Sequence, residues 1–444
     1  MRSETKTYTL EECLDALIDY RGKTPRKTEA GIPLITAKVV KGGRIEQPTE
    51  FIEPEDFGMW MTRGLPEVGD VVMTTEAPLG EVGQIHQLPV ALAQRIVTLR
   101  GKKGLLDNDY LLYLMQTDAI QAQLRGRASG TTVVGIKQSE LRKIALDLPP
   151  LCQQIAAASV LRALDDRIDL LRQSNTTLES ITHALFKSWF IDFDPVRTKA
   201  EGREPEGMDA VTAALFPDAF EDSTLGEIPK GWAVRTLAEH TATERGLSYK
   251  GAGLCAAGEG VPMHNLNSVL EGGDYKYSGI KHYCGDYKER HIAVSGDIIV
   301  ANTEQGHNHR LIGFPAIVPA RYGKAIFSHH IYRVRIKPDS PLTTHTLYYM
   351  LMAPSVREQV IGCANGSTVN MLKVAGLEIP QFVCPSAETA RAFESRAAIF
   401  RAQLETNVER AETLAGLRET LLPRLISGKL PLREAEAQLN EALA

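Results

Sequence analysis

A chain of 444 residues, 43% hydrophobic and 24% charged, has the make-up of a soluble globular protein and is too long for one compact core, so two or more domains are expected. The opening stretch MRSETKTYTLEE lacks the apolar segment of a signal peptide, and no run of about 18 apolar residues occurs; a cytoplasmic chain with no membrane span is the expectation. The net charge of −5 is unevenly spread: residues 151–225 hold 7 basic and 13 acidic side chains, residues 226–385 hold 16 and 13, and local basic patches stay open.

In chain order, GIPLITAKVVKGG (31–43) comes first, then VGDVVMTT (68–75), a Gly-Asp turn running into a β-branched strand. DYLLYLMQTDAIQAQL (109–124) has helical spacing, and SGTTVVGIK (129–137) is a loop of small residues ahead of Pro149 and Pro150. The same phrases then return in the same order. GVPMHNLNSVLEGG (260–273), SGDIIVAN (295–302), TLYYMLMAPSVREQV (346–360) and NGSTVNMLK (365–373) echo them, the last two at an offset of 236 residues. Ordered blocks separated by divergent segments predict two copies of one mixed α/β domain.

After each copy comes a heptad seam. Leu161, Leu164, Ile168, Leu171, Asn175, Leu178, Thr182, Leu185 and Trp189 alternate spacings of three and four, and the offset of 236 leads to Ala397, Phe400, Leu404, Asn407, Ala411, Leu414, Arg418, Leu421 and Leu425. Polar members such as Asn175 and Asn407 weaken a seam but fix register and partner. Two helices that pair with each other are predicted; two amphipathic helices each packing on its own domain are the alternative. The boundaries read as 1–150 for the first domain, 151–191 for its helix, 192–225 for a linker with a short helix near Ala210, 226–385 for the second domain and 386–444 for its helix.

Catalytic signatures are missing. No [NDS]PP[YF] loop stands beside a glycine-rich turn, no GxxxxGK[ST] phosphate loop occurs, and Glu76 and Glu304 lack the second carboxylate and lysine of a metal-dependent nuclease. Six cysteines form no CxxC pair and read as reduced. Nine of eleven histidines fall between 240 and 345, and His307 and His309 could form half of a metal site, but the supporting spacing is absent and no metal is expected.

Two stretches suit nucleic-acid contact. DYKYSGIKHYCGDYKER (274–290) interleaves aromatic and basic residues, and NTEQGHNHR (302–310) is dense in side chains able to read base edges. Candidate contacts in the first domain are Lys38, Lys41, Arg44, Thr75, Glu76, Gly130, Thr131, Thr132 and Lys137. In the second they are Asn267, Tyr275, Lys276, Tyr277, Lys281, Asn302, Gln305, His307, Asn308, Arg310, Gly366, Ser367, Thr368 and Lys373. The repeated loops, being alike, would position; the segments around 75–83 and 274–310, being unlike, would specify.

GDVVMTTEAPLG, SGTTVVGIK with its echo GSTVNMLK, LFKSWFIDFDPVR, GMDAVTAALFPDAFEDS, LGEIPKGW and LRETLLPRLISGKL together resemble the specificity subunit of type I restriction–modification enzymes over nearly the whole chain. The resemblance implies an α+β fold, with two target-recognition domains joined by two long helices that pair as an antiparallel coiled coil. It implies a non-catalytic reader of a bipartite, asymmetric site in double-stranded DNA. The helices would pair and dock two methyltransferase subunits, with restriction subunits joining through these. S-adenosylmethionine, ATP and Mg2+ would belong to the partner chains. Two alternatives remain at this point: a specificity chain serving a type II enzyme with a fused nuclease–methyltransferase partner, and a self-contained metal-dependent DNA enzyme.

Overall fold

The computed structural model describes residues 5–443 apart from Lys23, Thr131, Thr132, His307, Ser367 and Thr368, with Leu443 described by its backbone alone. Two compact units divide the chain, Met1–Arg172 with Glu409–Ala444, and Gln173–Val408. Among the described residues no helix is long and apolar enough to cross a membrane.

In the first unit an antiparallel sheet runs in the order Leu14–Asp19, Ile96–Gly101, Val71–Thr75, Leu79–Gln84. The strand VVMTT is buried at all five positions, as a central strand covered on both faces must be, and its β-branched residues suit that pleated setting. A smaller sheet places Leu34 and Ile35 parallel to Ala91 and Leu92. Lys6–Thr9 pairs with Ala145–Leu148 to close the unit's ends together. The helices Asn108–Gln116 and Asp118–Arg127 cover the sheet, the first capped by the Asp107 carboxylate accepting from the Tyr110 N–H at 2.9 Å.

The second unit repeats the main sheet of this plan and adds strands to its smaller one. Its sheet runs Thr241–Arg245, Ile331–Ile336, Ile298–Ala301, Pro315–Ile317, again antiparallel throughout. Met263 and His264 run parallel to Ile326 and Phe327, and Ala233–Thr236 pairs with Gln381–Cys384. Helices Thr344–Met352 and Pro354–Gly362 follow. Both copies also hold the same ion pair under the Gly-Asp turn. Arg100 grips Asp70 through Nε and Nη2, both at 2.8 Å, and Arg335 grips Asp297 in the same way at 2.6 and 2.7 Å.

Each copy leads into a helix of 40 residues, Leu151–Phe190 and Ala387–Ile426, whose bounds both differ by the repeat offset of 236. At about 1.5 Å per residue each spans about 60 Å. In the first unit Leu164, Ile168 and Leu171 are buried in one cluster with Leu414 and Leu421. Asp165 binds Arg418 at 2.7 Å and accepts from the Tyr113 hydroxyl at 2.8 Å, and the Tyr110 hydroxyl donates to the Ile426 carbonyl at 3.1 Å. In the second unit Asn407 donates to Asn175 at 2.8 Å, and the rings of Phe186 and Phe393 lie 5.7 Å apart. Numbering falls along one helix as it rises along the other, so the helices pair antiparallel. Leu404 is buried there, while Leu178, Leu185 and Phe400 are half-buried at its margin.

Residues 192–225, read from the sequence as a linker, are folded. Helices Asp194–Ala200 and Ala210–Ala213 and the strand Phe220–Ser223 carry Val196 and Phe216 into an aromatic core with Trp189, Phe190 and Trp232. The Pro, Gly and charge density that suggested a linker occupies the exposed turns around 200–207, while the few apolar residues do the anchoring.

Candidate nucleic-acid interface

The repeated loop docks on the end of the repeated strand in both units. In the first, the Ile136 N–H donates to the Thr75 carbonyl at 3.0 Å, and the Thr75 N–H donates to the Arg95 carbonyl at 3.0 Å. In the second, the Leu372 N–H donates to the Asn302 carbonyl at 2.8 Å, and the Asn302 N–H donates to the His330 carbonyl at 3.2 Å. Each loop is a hairpin closed by equivalent pairs, Ser129 with Gly135 and Asn365 with Met371.

The glycine of each hairpin is forced by close approach. A Cβ on Gly130 would stand 2.1 Å from the Val133 carbonyl oxygen, and one on Gly366 would stand 2.0 Å from that of Val369. Any side chain there would open the hairpin. Lys137 and Lys373 follow the hairpins, both exposed. Thr131, Thr132, Ser367 and Thr368, expected as phosphate donors, lie outside the described residues.

In the first unit a cleft of about 440 Å³ opens between strand end and hairpin, lined by Arg21, Glu76, Gln94, Arg95, Val133 and Lys137 among others. Arg21 donates through Nη1 to the Ile136 carbonyl at 2.9 Å and pairs with Asp19 at 3.0 Å, and Arg95 pairs with Glu76 at 3.1 Å. Sequence reading missed Arg21 and Arg95. Their place could have been found from the strands they follow and precede, but only with the register known.

Several expected contacts have other places. Thr75 and Asn302 are 3% exposed and Tyr275 is 1% exposed, so these three belong to the frame and their expected contact roles are corrected. Tyr275 bonds the buried His264 ring at 2.9 Å instead of facing outward. Tyr277 is half-buried under the Arg321 guanidinium, 4.3 Å from its ring centre. Arg44 reaches the first long helix, pairing with Asp169 at 2.8 Å and Asp165 at 3.6 Å, and so is spent on packing within its unit. Lys38 pairs with Glu50 and Lys41 with Glu46, each at 3.2 Å, and both lysines remain exposed. Asn267 accepts from Lys276 at 2.8 Å, and Lys281 lies over the Tyr249 ring.

Beyond Asn302, Gln305 at the end of the short strand Thr303–Gln305 and Asn308 and Arg310 in the loop that follows it are exposed. His307 lies outside the described residues. Among the described residues no group of three or more His, Cys, Asp or Glu is placed to hold a metal ion.

The two copies differ most at this loop. Val72 pairs with Gly83 and Ile299 with Ala316, so the return strands correspond at an offset of 233 that relates Gly80 to Gly313, and both glycines have positive φ, +89° and +79°. Four residues separate Thr75 from Gly80, whereas ten separate Asn302 from Gly313. One frame therefore presents two loops of different length and chemistry.

The type I restriction modification DNA specificity domain matches residues 3–180. The type I restriction enzyme MjaIX specificity subunit of Methanocaldococcus jannaschii is 25% identical over 368 residues, covering 82% of this chain and 78% of that protein. The HindI specificity subunit of Haemophilus influenzae is 25% identical over 378 residues, covering 72% of this chain and 76% of that one. In fold, the chain is similar to the S subunit of a type I restriction–modification system from M. genitalium, with a TM-score of 0.55 at 14% identity over 96% of both chains. The duplicated frames and paired 40-residue helices thus accompany a likeness to type I specificity subunits over most of the chain, with the DNA specificity domain itself matched over residues 3–180.

Proposed function

We propose that this chain is the non-catalytic DNA-recognition subunit of a type I restriction–modification complex, and that each repeat reads one part of a split, asymmetric DNA sequence. The observation that carries this is the duplicated frame with unlike loops. Features shared by both copies cannot tell one half-site from the other, so discrimination falls to the segments at which the copies diverge, beyond Thr75 and beyond Asn302. The hairpins at Gly130 and Gly366, with Lys137 and Lys373, suit contacts to phosphate, which position a protein without reading sequence.

The paired helices have the outward faces on which two methyltransferase subunits would dock, with Ile155, Leu170, Ile181 and Ile399 exposed along them. Restriction subunits would join through the methyltransferases. S-adenosylmethionine, ATP and Mg2+ would be bound by those partner chains.

The test mixes the purified chain with its cognate methyltransferase subunits and supplies duplex DNA of random sequence. Methylation confined to one bipartite sequence is expected, and so is no methyl transfer by the chain alone. Methylation without sequence preference would refute the reading.

A further inference from the structure

The loop beyond Asn302 is braced from beneath by two charged side chains. Glu304, 8% exposed, turns its carboxylate into the loop and accepts from three successive backbone N–H groups, those of Arg310 at 2.9 Å, Leu311 at 3.3 Å and Ile312 at 3.1 Å. Burial alone would raise this carboxyl, but those three donors hold it below its ordinary value. Arg357, on helix Pro354–Gly362, donates to the carbonyls of His309 and of Ile312, the latter at 3.0 Å, while its guanidinium lies 3.3 Å from the centre of the Phe314 ring. Asn370 of the hairpin donates to the Gly306 carbonyl at 2.9 Å. His309 is held at φ +49°, a left-handed conformation that a non-glycine residue keeps only when its surroundings impose it.

The same helix position braces the shorter loop in the first copy. Gln121, related to Arg357 by the offset of 236, donates through Nε2 to the Gly80 carbonyl at 2.9 Å and to the Met115 carbonyl at 2.9 Å. A Cβ on Gly80 would stand 2.6 Å from the Gln121 side chain. The neutral amide reaches one carbonyl, that of Gly80, just past a four-residue loop. The five-donor fork of arginine reaches two carbonyls of a ten-residue one.

We propose that position 121 in the first copy and position 357 in the second are specificity-determining positioning residues, each matched to its own loop, and that Glu304 acts with Arg357 to fix how Gln305, Asn308 and Arg310 are presented to DNA. The inference rests on reading that loop as the base-contacting segment. A loop with free carbonyls and N–H groups would sample many conformations, and the ordering cost would fall on binding. Bracing removes that cost for the one conformation that matches the cognate bases. Neither Glu304 nor Arg357 is placed to touch a base, since the backbone of the loop occupies their polar atoms.

The test uses the complete complex of this chain with its methyltransferase subunits and scores methylation of a random duplex library, resolved by half-site. Arg357→Gln and Glu304→Gln should each relax preference in one half-site at least tenfold, leaving the other half-site unchanged. Arg357→Lys should recover part of that loss, and Gln121→Ala should relax the opposite half. The double variant Asn308→Ala/Arg310→Ala tests the loop reading itself. If it alters one half-site while Arg357→Gln and Glu304→Gln leave both intact, the bracing proposal is wrong and the loop reading stands. If it alters neither half-site, the loop reading falls and the proposal with it. Thermal unfolding of each variant separates the outcomes from collapse, because general destabilisation would lower methylation at both half-sites together.

Discussion

Asn407 donates through Nδ2 to the Oδ1 of Asn175 at 2.8 Å, one amide from each long helix. Asn175 in turn donates to the Leu404 carbonyl at 3.3 Å, and Asn407 accepts from Gln403 at 2.8 Å. A polar pair inside an apolar seam fixes register, because any slip leaves an amide facing hydrocarbon. Replacing Asn407 alone with leucine takes the Asn407 donor from the Asn175 Oδ1 and should cost about 1–3 kcal/mol in urea unfolding. The double replacement Asn175→Leu/Asn407→Leu should recover most of that loss. Additive losses in the double variant would show that the two amides do not act as a pair.

The repeated Asp–Arg pairs lie under the turns that start the central strands, and they differ in exposure. The Asp70 side chain is 1% exposed against Arg100 at 20%, whereas Asp297 is 7% exposed against Arg335 at 42%. Removing one partner of a buried pair strands the other, at about 3–5 kcal/mol, while solvent screens the same loss nearer the surface. Asp70→Ala should therefore destabilise its unit more than Asp297→Ala destabilises the second, read as separate shifts in unfolding midpoint. Equal shifts would mean that exposure does not grade the two pairs.

Glu179, on the first long helix, sits against Asp274 in the second unit. Burial, and then the hydrogen bond with Asp274, push its carboxyl up to about 8. Burial would raise Asp274 as well, but Arg401, bonded to it at 2.8 Å, holds it below its ordinary value. An unfolded glutamate ionises near 4.5, so between there and about 8 the folded chain keeps a proton that the unfolded chain has lost. Stability must decline as pH rises through that window. Glu179→Gln removes the decline, and its advantage over the native chain should grow from pH 4.5 to 8, reaching on the order of 2 kcal/mol after discounting for partial exposure. A constant difference across those pH values would contradict the shared proton.

Lys137 and Lys373 follow the two hairpins and are exposed. Replacing either with alanine should weaken DNA binding by the assembled complex about equally on all sequences and reduce the salt slope of binding by about 1. A change in preferred sequence would assign these lysines to base contact instead.

Much of the architecture could be read from residues alone, because the repeat is written in chain order and its offset is constant from hairpin to helix end. Helix pairing followed from Leu164, Ile168, Leu171, Leu404, Leu414 and Leu421 falling on one seam. The contact residues were harder, for a physical reason. Tyr275 and Arg44 have the composition of contact residues, yet one is buried against His264 and the other is held by Asp165 and Asp169 across 120 residues or more of sequence. Long-range pairing of that kind leaves no periodicity. Thr75 and Asn302 lie at the strand ends that sequence reading identified, but their alternation faces inward. The bracing by Arg357 was invisible for the same reason, since its loop partners lie 45 and 48 residues away.

The most direct test of a DNA reader built from two unlike copies is the pattern of methylated adenines in host DNA, mapped with and without this gene. A single bipartite sequence should be methylated when the gene is present and unmethylated when it is absent, and exchanging residues 303–312 for a different loop should change one half of that sequence alone. A pattern that is the same with and without the gene, or one in which the exchange alters both halves, would contradict it.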